Sequence, residues 1–413
     1  MKYTLRVDTL SLRKLVLKVL AVSLIFSTGY VLGAKGYKIS QPNFFDFKVE
    51  RTLPADKQNI DFSLFWKVWD ILGSSYYDKS KLNPAKMVEG AIQGMVASIG
   101  DPYTVYLPPE ENKVVEEDLE GSFGGVGIQI GFKGKQLAVI APLSGTPAEE
   151  AGIKAGDFIL AIKDEKKGVD RTTGGMSLPE AVQLIRGPAK TEVTLTLLRD
   201  GQDKPIEVKL VRAEIKVPSV VLTFEGEGER VAYLKLLKFG GETDKEWNDA
   251  VSKIIASGAK GIVLDLRNNP GGYLQEAVNI AGDFLNTGTV AVSQDVNGKK
   301  QDLKTDRLPR LQKYPLVVLV NEGSASASEI LAGALRDQLG TKLVGKTTFG
   351  KGTIQEPKDI NGGAGLHVTI ARWLTPKGEW VNEKGLKPDI EVEDNVDTSE
   401  DEQFNKAVEV LKI

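Results

Sequence analysis

The 413-residue chain has no cysteine and a single histidine, His367. The first absence removes disulfides, thiolate metal ligands and cysteine nucleophiles. The second leaves no set of imidazoles for a zinc site and would rest any Ser-His-Asp triad on one residue. A hydrolase built from what remains, if it works through a covalent intermediate, has serine with lysine open to it. The chain also lacks a basic excess: its net charge is −3, and no basic patch interleaves with aromatics, so nucleic acid is not an expected partner.

Long apolar runs are scarce too. The main one, Val19 to Ala34, is interrupted by Ser23, Ser27, Thr28 and glycines. It falls short of the roughly 20 residues a bilayer span needs, although Leu15-Val-Leu17 extends it. Lys2, Arg6, Arg13, Lys14 and Lys18 precede or flank it. Basic residues ahead of an apolar stretch read as an export signal whose basic side stays in the cytoplasm. Residues 1–36 are therefore expected to be a signal or single-pass membrane anchor, favoured as uncleaved, with the remainder periplasmic or extracellular. Ser27-Thr-Gly29 is the alternative cleavage site.

What is present is the composition of an ordinary globular protein, 41% hydrophobic and 26% charged, long enough for about two to three domains. Residues 37–57, with Pro42 and Pro54 among scattered charges, read as a linker. Residues 58–112 carry helical spacing: Phe65, Val68, Trp69 and Leu72 form one set, and Met87, Ala91, Met95 and Ile99 a second. Residues 113–214 are a small β-rich module of short strands and glycine turns. In it Ser177-Leu-Pro-Glu180 opens a helix ending at Arg186, and Asp200-Gly201 marks a hairpin. Residues 215–393 alternate strand and helix as an α/β core, with Gly261–Leu266 and Leu316–Val320 as strands buried on both faces. Residues 394–413 read as an acidic tail and a short docking helix.

Chemistry concentrates in three segments of that core. Leu316–Val320 runs into Asn321-Glu-Gly-Ser-Ala-Ser326 and then a helix. A serine there meets the outward N–H groups of a helix start, which stabilise a developing oxyanion. Ser324 and Ser326 both fit, and a plain capping serine fits as well. Lys351 lies between Gly350 and Gly352 with no acid adjacent in sequence, which suits a desolvated, neutral lysine, although exposed turn lysines are commoner. Asn269-Pro-Gly-Gly272 offers a second set of backbone donors. His367, in the alternation Leu366-His-Val-Thr-Ile370, reads as a structural strand residue.

Together, Leu264-Asp-Leu-Arg-Asn-Asn-Pro-Gly-Gly272, Gly323-Ser-Ala-Ser-Ala-Ser-Glu329 and Phe349-Gly-Lys-Gly-Thr-Ile-Gln355 resemble the carboxy-terminal processing, or tail-specific, serine peptidases. Asp101-Pro-Tyr-Thr104 and Gly385-Leu-Lys-Pro-Asp389 match that pattern as well. The resemblance implies a ClpP/crotonase-like α/β protease core with an inserted PDZ domain and an N-terminal helical segment. It implies Ser326 as nucleophile, Lys351 as general base and Gln355 holding the lysine amine. The N–H groups of Gly272 and Ala327 would form the oxyanion hole, and Asp337 would be structural.

In the β-rich module, Gly124-Gly-Val-Gly-Ile-Gln-Ile130 places glycines before an apolar strand, a loop able to capture a terminal carboxylate beside a strand able to accept a peptide. With Gly145–Asp157 it resembles a PDZ domain, implying that the N–H groups of Val126, Gly127 and Ile128 bind a substrate's C-terminus. The stretch Lys163–Gly175 is longer and more charged than is usual there. Arg186, beside the presumed groove, is a candidate gating residue. The expected function is a membrane-anchored, extracytoplasmic endopeptidase acting on proteins and peptides with free C-termini. It needs no metal or cofactor, and a homo-oligomer is left open. The alternative is a membrane-anchored, non-catalytic PDZ scaffold or chaperone.

Overall fold

The computed structural model describes residues 9–34, 37–43, 46–51, 60–199, 201–202, 204–226, 228, 230–393 and 400–412. The acidic stretch 394–399 and Asp200 of the expected hairpin turn lie outside the described residues. Two compact units form, 1–88 and 89–413.

In the first unit, helix α1 spans Thr9–Ala34. Among the described residues no helix is long and apolar enough to cross a membrane. The single-pass anchor expected from the sequence is therefore unsupported. Arg13, Lys14, Lys18 and the hydroxyls of Ser23, Ser27 and Thr28 interrupt the apolar residues, and Thr28 turns its hydroxyl back onto the Leu24 carbonyl at 2.8 Å. Where a linker was expected, β1 (Tyr37–Asn43) and β2 (Asp46–Arg51) pair as an antiparallel hairpin. Pro42 lies at the register shift between Ser40 and Asn43, a place where a strand tolerates a residue without an N–H. Helix α2 (Ser63–Ser75) carries the expected aromatic set, with Phe65 packed edge-on to Trp66, but buries no residue. Helix α3 (Pro84–Ala97) begins in the first unit and ends in the second, its first N–H groups capped by the Asn83 side chain at 3.0 and 3.2 Å.

The second unit continues with β3 (Val105–Leu107), α4 (Pro109–Glu120) and β4 (Ser122–Gly125). A β-rich module comes next: β5 (Ile128–Lys133), β6 (Gln136–Pro142), α5 (Pro147–Glu150), β7 (Phe158–Asp164), β8 (Val169–Thr172), α6 (Leu178–Ile185), β9 (Glu192–Leu198) and β10 (Ile206–Val211). Its sheet runs β10-β9-β7-β6-β5 with β8 on β7, so β5 is an edge strand. Leu137 of β6, Ile159 and Ile162 of β7 on either side of a register shift, and the alternating Leu195 and Leu197 of β9 are fully buried. The long charged stretch after β7 is the β7–β8 hairpin, tied down where Asp164 accepts the Lys167 N–H at 3.0 Å and meets the buried Arg212 at 2.8 Å. The chain leaves the module through β11 (Ala213–Lys216), antiparallel to β4.

The remaining chain builds the α/β core from β12 (Val220–Glu225), β13 (Val231–Leu236), α7 (Thr243–Ala256), β14 (Gly261–Asp265), α8 (Leu274–Ala281), β15 (Thr289–Asp295), β16 (Lys300–Lys304), β17 (Leu316–Val320), α9 (Ala327–Leu339), β18 (Lys342–Gly345), β19 (Thr353–Ile360), β20 (Ala364–Leu374), β21 (Ile390–Glu391) and α10 (Glu402–Leu411). The main sheet is ordered β12-β13-β14-β17-β18-β21 and is parallel from β13 onward. Strand side chains alternate between its faces. Ile262, Leu264 and Val318 pack with Trp247, Ile254, Ile280 and Leu331 of α7, α8 and α9. Val263, Val317 and Leu319 pack instead with Ala407 and Leu411 of α10. Burying both faces makes each such Val, Leu or Ile worth ~1.5–3 kcal/mol. A second, antiparallel sheet, β16-β15-β20-β19 with β3 on β20, stands beside the first. Parallel order puts the loops after β14 and β17, adjacent strands, at the same edge, where ligands of open α/β sheets bind.

Candidate active site

Three serines enter α9, and their surroundings separate them. Ser324 is fully buried; its hydroxyl donates to the Leu266 carbonyl at 2.8 Å and accepts the Asn321 N–H at 2.9 Å. Ser328 is also fully buried and donates to the Asn269 carbonyl at 2.9 Å. Both fasten the turn after β17 to the turn after β14. Ser326 is half-buried, lines a cavity of about 690 Å³, and adopts φ 55° and ψ −113°. A non-glycine residue held there is strained, and such strain persists only where neighbours enforce it.

The enforcing neighbours are a glycine turn and a carboxylate. A Cβ on Gly271 would lie 2.9 Å from the Ser326 Cβ and 3.0 Å from the Ala327 nitrogen, so only glycine lets the turn after β14 approach this closely. Gly272, at φ 134°, is pressed against the Phe239 carbonyl. Among the described residues the N–H groups of Gly272 and Ala327 have no acceptor, which leaves two donors beside Ser326. The carboxylate is Glu329, fully buried in the first turn of α9. It accepts the Ser326 N–H at 2.9 Å on one oxygen. The same oxygen accepts the Lys351 N–H at 2.9 Å, and the other accepts the Thr348 hydroxyl at 2.5 Å and the Gly350 N–H at 2.7 Å.

Lys351 is thereby brought to the same cavity as Ser326. Its backbone is held from the far side by two indoles: Trp373 donates to the Lys351 carbonyl at 2.9 Å and Trp380 to the Gly352 carbonyl at 3.0 Å. Burial pushes the lysine below its usual value of 10.5, and the charges of Asp101 and Glu329 oppose the shift without cancelling it. Neither carboxylate forms an ion pair with the ammonium among the described residues. Glu329 is engaged by backbone and hydroxyl donors, and Asp101 accepts the Tyr103 N–H at 3.0 Å and the Thr104 hydroxyl at 2.7 Å.

Gln355 lines the cavity but is not bonded to the lysine amine as the sequence led one to expect. It sits at a register shift between Ile354 and Gln355, and its amide donates to Thr353 at 2.8 Å and Thr369 at 3.2 Å. His367 lies in β20 as expected, yet its side chain faces the cavity, where burial first and the Lys351 charge second lower its pKa. Asp337 lies outside the cavity, accepting the Lys377 N–H at 3.1 Å.

A smaller cavity of about 130 Å³ lies between β5 and α6, lined by Val126, Gly127, Ile128, Ile130, Val182 and Ile185. Gly127, at φ 76°, passes so close to Thr146 that no Cβ fits. Arg186 lines both cavities. Its guanidinium stacks 3.9 Å from the Phe123 ring and pairs with Asp118 at 3.1 Å, and its Nη1 is buried without a partner.

The profile of Peptidase family S41 matches residues 230–392. The carboxy-terminal processing protease CtpA of Bacillus subtilis is 38% identical over 328 residues, 79% of this chain and 68% of that protein. The chain belongs to peptidase family S41. It is a carboxy-terminal processing serine protease with a PDZ domain, whose profile matches residues 139–199. A profile described as the N-terminal domain of the activating protease CtpB matches residues 38–111. A solved photosystem II D1 C-terminal processing protease is 32% identical and covers 80% of this chain and 92% of its own, with a TM-score of 0.48. A solved Bacteroides fragilis structure named for the S41 proteases is 16% identical at a TM-score of 0.51, covering 84% and 97%, and shows the shared fold.

Of the groups that shape this S41 site, Glu329, Thr348, Trp373 and Tyr103 carry no role in the sequence reading, although Glu329 and Tyr103 stand inside motifs quoted there. Glu329 had a local signal, Ser326-x-x-Glu329 at a helix start, which is the spacing of a capping box. The other three are joined to the site only through tertiary contacts.

Proposed function

We propose that the chain is an extracytoplasmic endopeptidase that captures substrate C-termini in its PDZ groove and cleaves by serine and lysine alone. The observation that carries this reading is the Glu329 staple, which holds the strained Ser326 and the desolvated Lys351 to one cavity. The Ser326 Oγ attacks the scissile carbonyl carbon while the neutral Lys351 Nζ takes its proton. The N–H groups of Gly272 and Ala327 hold the oxyanion. Collapse expels the amine, which takes the proton from Lys351. Water, deprotonated by the Lys351 Nζ, then attacks the acyl carbon, and the departing Ser326 Oγ takes that proton back as the acid product is released. With its amide nitrogen spent on two threonines, Gln355 has its carbonyl oxygen left for the lysine. Mass spectrometry of peptides cut by the wild type and by Ser326→Ala tests the scheme; identical fragments from both would end it.

A histidine base is the competing chemistry on this surface, since His367 shares the cavity. His367→Gln is expected to keep kcat/KM within about tenfold, a barrier change of no more than ~1.4 kcal/mol. Loss of activity in the folded variant would instead support a histidine mechanism.

The PDZ groove is proposed to take a carboxylate at the N–H groups of Val126, Gly127 and Ile128, with the peptide extending edge strand β5. Arg186, which borders both cavities with one buried nitrogen unpartnered, links occupancy of the groove to the arrangement of Ser326 and Lys351. Amidating a substrate's C-terminus is expected to slow its cleavage. Arg186→Ala is expected to lower turnover more than it weakens peptide binding. Equal cleavage of free-acid and amidated substrates by an active Arg186→Ala enzyme would make the PDZ domain a passive tether.

The extracytoplasmic placement is supported by the basic residues ahead of the Val19–Ala34 run and by the absence of cysteine. Recovery of the native protein wholly in the cytoplasmic fraction would refute it.

A further inference from the structure

Burial is what lowers the Lys351 pKa most, so whatever covers its amine belongs to the chemistry. One cover comes from far away in sequence. The Lys351 Nζ lies 4.8 Å from the centroid of the Tyr103 ring. That ring is carried on a turn that is fixed rather than loose. Asp101 accepts from the Tyr103 N–H at 3.0 Å and from the Thr104 hydroxyl at 2.7 Å. Thr104 in turn accepts the Thr369 N–H at 3.1 Å, and Thr369 is also the residue that takes the Gln355 amide. The chain then enters β3, which pairs with β20 so that Val105 faces His367 and Leu107 faces Gly365. Gly365 is where Asn112 of α4 closes in, 2.1 Å from any added Cβ, and Asn112 donates to the Gly363 carbonyl at 3.2 Å.

We propose that Tyr103 is a positioning residue for Lys351: its ring, clamped by the Asp101–Thr104 turn, walls the amine off from water. This rests on Lys351 being the base. Two effects of the ring oppose each other. Its face attracts an ammonium, which favours the charged lysine by about one pKa unit. Its bulk excludes water, which disfavours the charged lysine, most strongly where burial is complete and less at the half-buried Lys351. Burial is the leading cause of the lowered lysine pKa, and the ring is part of the cover, so exclusion is taken as the larger effect. The charged and titratable groups facing the amine are Asp101 from the turn, Glu329 from α9 and His367 from β20, with Glu383 acting on Tyr103 itself. Both acids near the lysine raise its pKa, so the covering ring must act against them.

The test is the pH dependence of kcat/KM for the full chain on a peptide with a free C-terminus. Tyr103→Ala is expected to move the apparent pKa of the rising limb up by about one unit, with loss near neutral pH of about tenfold that is recovered at alkaline pH. Tyr103→Phe is expected to keep the wild-type apparent pKa, because the ring and not the hydroxyl does the covering. A merely structural role would lower activity equally at every pH. If Tyr103→Ala turns over too slowly to titrate, NMR titration of the Lys351 ε-carbon in a Ser326→Ala background reads the same shift directly. Tyr103→Leu, expected to shift less in the same direction, serves if the alanine variant does not fold. Lys351→Met separates the role of Tyr103 from that of Lys351. If it is inactive while Tyr103→Ala keeps the wild-type apparent pKa, the role of Tyr103 is refuted and the base assignment stands. If Lys351→Met retains turnover, the base assignment fails and the role of Tyr103 falls with it.

Discussion

Ser326→Ala and Lys351→Arg are each expected to lower kcat/KM by roughly 10⁴-fold or more, and the double variant little further, because groups that act as one unit lose their effect together. The arginine is the sharper of the two substitutions. It keeps a positive charge in the same cavity but cannot release a proton near neutral pH. If Lys351 worked by its charge, for instance by holding the oxyanion, arginine would preserve much of the rate. The wild-type rate is expected to rise with pH through an apparent pKa below that of free lysine, since burial depresses the folded value and Asp101 and Glu329 restore only part of it. Steady-state kinetics across pH on the three variants checks all of this. Near-wild-type turnover in Lys351→Arg would sink the proton-transfer role, and in Ser326→Ala the covalent mechanism.

Glu329→Ala is expected to cost both stability and rate. Four donors converge on this fully buried carboxylate, three of them backbone N–H groups from two different loops. Removing the acceptor orphans them in a dry site, where each unpaired group costs ~1–3 kcal/mol before rehydration. A net loss of about 3–5 kcal/mol is the scale seen when a buried charge network is broken from one side. Turnover is expected to fall by about 10²-fold even in the folded fraction, because loosening Ser326 against Lys351 by as little as ~1 Å is enough for that. Glu329→Gln is a weaker rescue than its shape suggests, since its NH₂ end would face donors. Urea unfolding with an unchanged slope, measured beside kcat and KM, separates the two losses. A variant as stable and as fast as the wild type would show that the two loops hold themselves.

Much of this site could be read from the chain because its signals are local. Strand β17 is a short, unbroken apolar run and β14 one that ends in the buried Asp265, and glycine turns follow both, which is how a strand covered on both faces appears in sequence. The serine and lysine stand out because each is flanked by small residues that few other functions need. Other parts carried no such mark. Strands β16 and β19 are half exposed, with Lys300-Gln-Asp and Gln355-Glu-Pro-Lys segments that look like loop, and only pairing across a sheet makes them strands. His367 was placed in the right element, but nothing local says which face of β20 meets the cavity. Tyr103 reaches Lys351 through the β3–β20 pairing, a contact between distant parts of the chain that periodicity cannot register. The hairpin at 37–51 was obscured by Pro42, which turns out to sit where the register slips.

The PDZ module is entered through β4 and left through β11, and these two strands are paired with each other, Ser122 opposite Lys216 and Gly125 opposite Ala213. Where the ribbon meets the core, the Val217 N–H still reaches the Gly121 carbonyl at 2.9 Å. An inserted domain whose two ends leave side by side interrupts the host without stretching it. The chain could in principle be rejoined across that single hydrogen bond, or a different peptide reader spliced in, leaving the cutting machinery's own folding undisturbed. Substrate choice can then diverge by exchanging a cassette, provided the new module still sets an arginine where Arg186 borders the active-site cavity.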